Sequence, residues 1–131
     1  MKYALLALLL LPVVGRAADD ASVQFNRDVR PILADNCFAC HGFDAKARKA
    51  KLRLDVPEGA FAERNGTVPI KPGDLQASEV WARINAERAE EVMPPPNTHK
   101  QLTAAQKETI RRWIVQGAPY QKHWSFEPIN R

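Results

Sequence analysis

The densest chemistry in the chain lies in five consecutive residues, Cys37-Phe38-Ala39-Cys40-His41. Two thiols three positions apart sit within about one helical turn. Both sulfurs can then face one porphyrin edge and add to its two vinyl groups, which is the arrangement covalent haem attachment requires. His41 follows directly, so its imidazole is carried beneath the ring plane, where a neutral nitrogen can bind iron axially. With two cysteines and three histidines in the chain, chance produces this pattern only about once in three thousand sequences.

Other readings of the same residues are weaker. A thiol redox pair belongs at a strand-to-helix junction, where the helix N-terminus activates the first sulfur; here the pair follows a helical pattern. A zinc site could recruit Cys37, Cys40, His41 and one of His99 or His123. Adjacent Cys and His residues are awkward for a closed tetrahedral shell, however, and no second paired motif exists.

A second iron ligand is offered by Glu91-Val92-Met93-Pro94-Pro95-Pro96. Prolines cannot continue a helix, and the residue before a proline is pushed to an extended conformation, so Met93 is mounted on a stiff loop. From there its thioether can approach the iron on the face opposite His41. The alternatives are a methionine filling a core gap, or His99 or His123 as the sixth ligand.

The elements that must position these groups read as helices. Val29, Ile32 and Leu33 share one face, with Asn26 or Asp28 as cap and Pro31 in the first turn if Asp28 caps. This helix runs into Cys37. Phe43 to Lys51, with Lys46, Arg48, Lys49 and Lys51, reads as a solvated loop or as a cationic rim for an acidic redox partner. Leu52-Arg53-Leu54 alternates as an extended piece, and Asp55-Val56-Pro57-Glu58 has a capping-box pattern opening a short helix that Asn65-Gly66 ends.

Ile70-Lys71-Pro72-Gly73-Asp74 reads as a turn, with proline and glycine at the positions a type II turn wants. A helix capped by Ser78 then presents Val80, Trp81 and Ile84. Trp81 is expected in the core, with a haem-facing ring or an indole contact to a propionate as the alternative; Arg53 is another propionate candidate. The last helix opens with Thr103-Ala104-Ala105-Gln106, buries Ile110, Trp113 and Ile114, closes at Gly117 and should cross the first helix. Aromatic residues after Pro119 are expected to pack back on this domain or to begin a further one.

Length and composition add bounds. The 131 residues suit one domain, and so short a chain gains from a large apolar cofactor at its centre. Lys2, the apolar run Ala4 to Val14 and Gly15-Arg16-Ala17 read as an export signal cut after Ala17. The run is too short to span a bilayer, which takes about 20 residues. No stable membrane span is therefore expected after cleavage. Removing residues 1–17 lowers the formal charge from +4 to +2 by taking away Lys2 and Arg16, and two propionates bring the holoprotein near neutrality, so the basic composition does not argue for nucleic acid. Both cysteines are used by the haem motif, leaving none for a structural disulfide, and export places the chain outside the cytoplasm, in a periplasmic setting.

With these residues in place the chain resembles a cytochrome c domain, and within that group the planctomycete-type cytochrome c domain. The resemblance runs from about Phe25 to Phe126. It rests on Phe25-Asn26-Arg27-Asp28-Val29, Pro31-Ile32-Leu33, Cys37-x-x-Cys40-His41-Gly42, Leu52-Arg53-Leu54-Asp55, Pro72-Gly73-Asp74 with Ser78, Met93-Pro94-Pro95, Leu102-Thr103, Trp113-Ile114, Gly117-Ala118 and His123-Trp124-Ser125-Phe126. It implies an all-α fold: a small cytochrome c-like bundle of three to five helices around one covalently attached haem c. Cys37 and Cys40 would be the thioether anchors, His41 the proximal ligand and Met93 the distal one.

The resulting organisation is a signal peptide at 1–17, a polar lead-in at 18–24, the cytochrome domain at 25–118 and a tail or the start of a further domain at 119–131. Family members usually carry this domain at the N-terminus of a longer protein, so further domains of the same polypeptide and a free carrier are both open readings. The expected function is one-electron transfer to redox partner proteins, with no enzyme activity and no catalytic residues, because both axial positions are filled. The alternatives are the electron-feeding domain of a larger oxidoreductase, a peroxidase-like haem protein with a labile distal ligand, and a sensor or docking module.

Overall fold

The computed structural model describes residues 22–122; the expected signal peptide and the aromatic residues Trp124 and Phe126 lie outside them. The described residues form helices and connecting loops with no sheet, only isolated bridges. In chain order they are a π-helical turn Phe25–Val29, α1 (Arg30–Asn36), α2 (Phe38–His41), α3 (Pro57–Ala60), α4 (Glu79–Ile84), a 3₁₀ turn Pro96–Thr98 and α5 (Ala104–Val115). The all-helical expectation is met.

α5 forms as its sequence dictates. The Thr103 hydroxyl accepts from Gln106 N–H at 3.2 Å, and the Gln106 side chain returns a bond to Thr103 N–H at 2.9 Å, satisfying two of the donors left free at a helix start. Its inner face buries Ile110, Trp113 and Ile114. Gly117 then turns the chain at φ +96°, and Ala118 N–H donates to Trp113 O at 2.9 Å, a reversal that a Cβ disfavours. Beyond it the Trp113 indole donates to Pro119 O at 3.1 Å. α5 crosses the first helical segment as expected, with the rings of Phe25 and Trp113 5.5 Å apart.

The first helix begins earlier than its apolar pattern indicates. Helical backbone starts at Phe25 rather than after Asp28, and Asp28 reaches back so that its carboxylate accepts from Gln24 N–H at 2.8 Å. A proline ring clashes with the carbonyl four residues before it; the wider π turn ahead of Pro31 gives that ring room, with Arg30 N–H bonded to Phe25 O.

Three other helix ends depart from the expectation. α3 forms, but without an Asp55 cap, because that carboxylate is taken by Arg53 at 3.0 Å from Nε. It ends at Ala60 and not at Asn65-Gly66, which instead make a tight turn with positive φ between the bridged residues Arg64 and Thr67. α4 starts after Ser78 without using its side chain, since Glu79 N–H and Val80 N–H donate to Val68 O and Pro69 O. The fully buried Ser78 hydroxyl serves the preceding turn, accepting from Lys71 N–H at 2.9 Å and donating to Asp74 O at 2.6 Å. That turn reverses at Gly73 as expected, and Gly73 N–H docks on Ile114 O at 2.8 Å.

Candidate haem-binding site

α1 and α2 form one nearly continuous helical path that breaks at Cys37, where φ −124° and ψ −40° cap the first and start the second. Cys37 N–H donates to Leu33 O at 2.8 Å, and Cys37 O accepts from Cys40 N–H at 3.1 Å and His41 N–H at 2.8 Å. The helix therefore delivers the Cys-x-x-Cys-His segment as one ordered turn. Both cysteines are free and half-buried.

Gly42 follows, and its lack of a side chain is used directly. A Cβ there would lie 2.3 Å from Phe38 O, where real contacts stay beyond about 3.0 Å. Downstream backbone then clamps the segment: Lys49 N–H donates to Cys40 O at 2.7 Å, Leu54 N–H to His41 O at 2.8 Å, and Arg48 Nε to Gly42 O at 2.8 Å.

Beside this turn lies a cavity of about 430 Å³, within the roughly 300–1,000 Å³ range of cofactor sites, with a mostly apolar wall. Cys37 and His41 form one side, Leu52, Leu54, Val80 and Ile84 supply apolar surface, and Met93 completes the wall. The structure thus brings together three of the four residues singled out by the sequence. Cys40 lies on the same helical turn but does not line the cavity.

Met93 is held in place by its own N–H, which donates to Arg83 O at 3.0 Å, and by the buried Pro94 after it. It belongs to a loop between α4 and the 3₁₀ turn, as the prolines demand. His99 is exposed, at the end of that 3₁₀ turn, and is not part of the cavity wall; His123 lies outside the described residues.

The electrostatics fit a neutral ligand and a closed thiol. Burial holds the His41 pKa below the ordinary imidazole value, partly opposed by the nearby Lys49 backbone. Its Nδ1 is buried and makes no hydrogen bond that meets the distance and angle of one. Burial pushes the Cys37 thiol up to about 11, against the pull of the Lys100 charge. That is opposite to the depressed pKa of an activated redox thiol. Among the described residues no group of three His, Cys, Asp or Glu side chains is arranged to hold a metal ion, and the exposed His99 stands apart from Cys37 and His41 on the cavity wall.

Trp81 takes the core position expected of it, partly buried, and neither it nor Arg53 stands on the cavity wall. Arg53 pairs with Asp55. The charged residues on the wall are Arg64, Glu79 and Arg83, which the sequence reading passed over as site residues. Arg64 carries no signal of its own beyond standing before Asn65-Gly66.

Residues 37–97, a little under half of the chain, match the family model described as Planctomycete cytochrome C. The match starts at Cys37, takes in His41 and Met93, and agrees with the resemblance read from the sequence. Domains of that kind are typically non-catalytic electron carriers. No curated protein and no solved structure matches the chain.

Proposed function

We propose that the chain is a haem c-binding, one-electron carrier with His41 and Met93 as axial ligands. The observation that supports it best is that His41 and Met93 line the same apolar cavity as Cys37. The unpartnered, buried Nδ1 of His41 and the size of the cavity fit such a group. Cys37 and Cys40 would hold it by two thioether bonds. Haem c would supply a one-electron iron couple, and a methionine ligand raises its potential by favouring the ferrous state.

The chain's own part is to exclude water, fix two ligands and leave one edge approachable. Leu54, Val80 and Ile84 supply the dry wall. The exposed loop with Lys46, Lys49 and Lys51, followed by the wall residue Leu52, offers an acidic redox partner its approach. Among the described residues no helix is long and apolar enough to cross a membrane; with residues 1–17 acting as an export signal, the domain would work in the periplasm.

The test is a spectrum of the exported protein, oxidised and reduced, with and without carbon monoxide. Wild type should be six-coordinate and inert to the gas, whereas Met93→Ala should keep its haem and bind carbon monoxide once reduced. An unchanged six-coordinate spectrum in that variant refutes Met93 as ligand. A five-coordinate wild type with peroxide turnover refutes the carrier reading in favour of a peroxidase-like one.

A further inference from the structure

The cavity wall carries two arginines and one glutamate, and one arginine pairs with the glutamate. Arg83 Nε donates to Glu79 Oε1 at 2.7 Å, one helical turn away, and its Nη1 faces Glu91 O at 3.4 Å. Arg64 is different. Its Nη1 donates to two backbone carbonyls, Lys51 O at 2.7 Å and Ala50 O at 3.2 Å, and no carboxylate pairs with it among the described residues. Its Nε is buried with no hydrogen-bond partner.

That unused nitrogen belongs to a particular edge of the guanidinium. Arg27, Arg53 and Arg111 all present their Nε and Nη2 together to a carboxylate, those of Asp28, Asp55 and Glu108. This is the two-pronged geometry in which arginine binds carboxylates most firmly. In Arg64 the Nη1 bonds to residues 50 and 51 fix the side chain, and the carboxylate-binding edge is left without a partner. A buried, unsatisfied donor is a defect that native chains rarely tolerate without an answering group.

We propose that the Nε/Nη2 edge of Arg64 binds one propionate carboxylate of the haem, an assignment that rests on the haem-carrier reading above. Asn65 and Thr67 lie on the same stretch of wall, on a turn held by the Arg64–Thr67 bridge and by the Thr67 hydroxyl donating to Arg64 O at 3.0 Å. The site is therefore built on a closed turn rather than a loose loop. The other charged or titratable groups facing the cavity are Glu79, Arg83, Cys37 and His41. The first two pair with each other, and the last two are taken up as anchor and ligand. Arg64 is thus the cation left to balance a negative charge.

The experiment compares the holoproteins of wild type, Arg64→Gln, Arg64→Lys and Arg53→Gln by intact mass and by midpoint potential as a function of pH. Losing the cation leaves a bare carboxylate near the iron, which favours the ferric form. We expect about a tenfold shift of the ferric/ferrous ratio in Arg64→Gln, a fall of about 59 mV for one electron. As pH falls, the carboxylate, no longer held ionised, takes up a proton and the potential of that variant rises again. Wild type and Arg53→Gln should stay flat over the same range, and Arg64→Lys should recover part of the fall.

Haem attached in Arg64→Gln with an unchanged potential and pH profile overturns the assignment and leaves the carrier reading standing. A wild-type mass equal to the bare polypeptide overturns the carrier reading itself. Should Arg64→Gln fail to fold, proton exchange of the Arg64 Nε–H in reduced wild type decides the matter. Slow exchange with cross-relaxation to a propionate methylene supports the assignment, and exchange as fast as that of a solvated arginine overturns it.

Discussion

Gly42→Ala tests the packing of the haem motif at a single methyl group. The added Cβ would stand 2.3 Å from Phe38 O and 3.1 Å from Phe38 Cβ. Separating it from the carbonyl to beyond about 3.0 Å moves backbone rather than a flexible side-chain end. The residue's φ of −125° lies outside the left-handed region that favours glycine, so the effect argued here is the contact. Overpacking of this kind costs about 1–3 kcal/mol. Because the backbone that must yield spans α2, the displacement falls on Cys40 and His41, whose carbonyls are already fixed by Lys49 and Leu54.

The assay is urea unfolding of the exported protein, together with haem content per chain and the reduced spectrum. Gly42→Ala should lose about 1–3 kcal/mol and attach haem less completely. Gly66→Ala provides the contrast, because its Cβ meets nothing within 4 Å but its φ is +80°. It should cost about 1 kcal/mol through the left-handed backbone alone and leave the spectrum untouched. Stability within about 0.5 kcal/mol of wild type for Gly42→Ala, with full haem content, would refute the contact argument.

Three further outcomes follow from the hydrogen bonds and pKa values. Ser78→Ala leaves Lys71 N–H without its acceptor in a buried setting and should destabilise by about 1–3 kcal/mol in urea; no change would mean that the turn rearranges. Tyr120→Phe removes the donor to Leu54 O, 2.8 Å away, while keeping the ring contacts, and should cost about 1 kcal/mol, against about 3–5 kcal/mol for Tyr120→Ala; equal losses in the two would refute this division. On the acid side, the Arg27 hydrogen bond holds Asp28 below the ordinary value of 3.8. Burial raises the Asp55 carboxyl but is outweighed, chiefly by Arg53, so its pKa too is lowered. Their contribution is therefore present above 3.8 and lost as pH falls through the depressed folded values. The urea midpoint should fall on that acid side with a smaller loss in Asp55→Asn, and an equal loss in that variant would refute the pair's role.

What could be read from the sequence was what is written locally. α5 carries its capping box, its buried face and its closing glycine within fifteen consecutive residues from Thr103 to Gly117, and each part is where the pattern puts it. The turn at 71–74 was legible for the same reason. The starts of α3 and α4 were not, because their first donors or their expected caps are settled by partners that no spacing rule reveals. Asp55 answers Arg53, while Val68 and Pro69 carbonyls answer Glu79 and Val80. The site divides in the same way. Cys37, Cys40, His41 and Met93 stand out by residue type and by neighbours in the chain. Arg64 becomes notable only once its Nη1 is seen to be used and its Nε edge is not.

Leu54 joins the two parts of the molecule. On one side Phe25, Phe61, Trp113 and Tyr120 form a cluster of rings with centroids between 4.3 and 5.5 Å apart. On the other, α2, α4 and the Met93 loop surround the cavity. The Leu54 side chain is buried and contributes to the cavity wall, its N–H donates to His41 O, and its carbonyl accepts the Tyr120 hydroxyl. The backbone carrying His41 is thus braced through one residue by the segment that returns after α5, and that segment is aimed by the reversal at Gly117 and Ala118. A ligand positioned by packed supporting groups is held more tightly than one on a free loop. The closing turn of α5, far along the chain from Cys37, is therefore part of what positions His41, and if His41 is the axial ligand proposed above, a carrier that must change charge without moving its ligands would gain from that bracing.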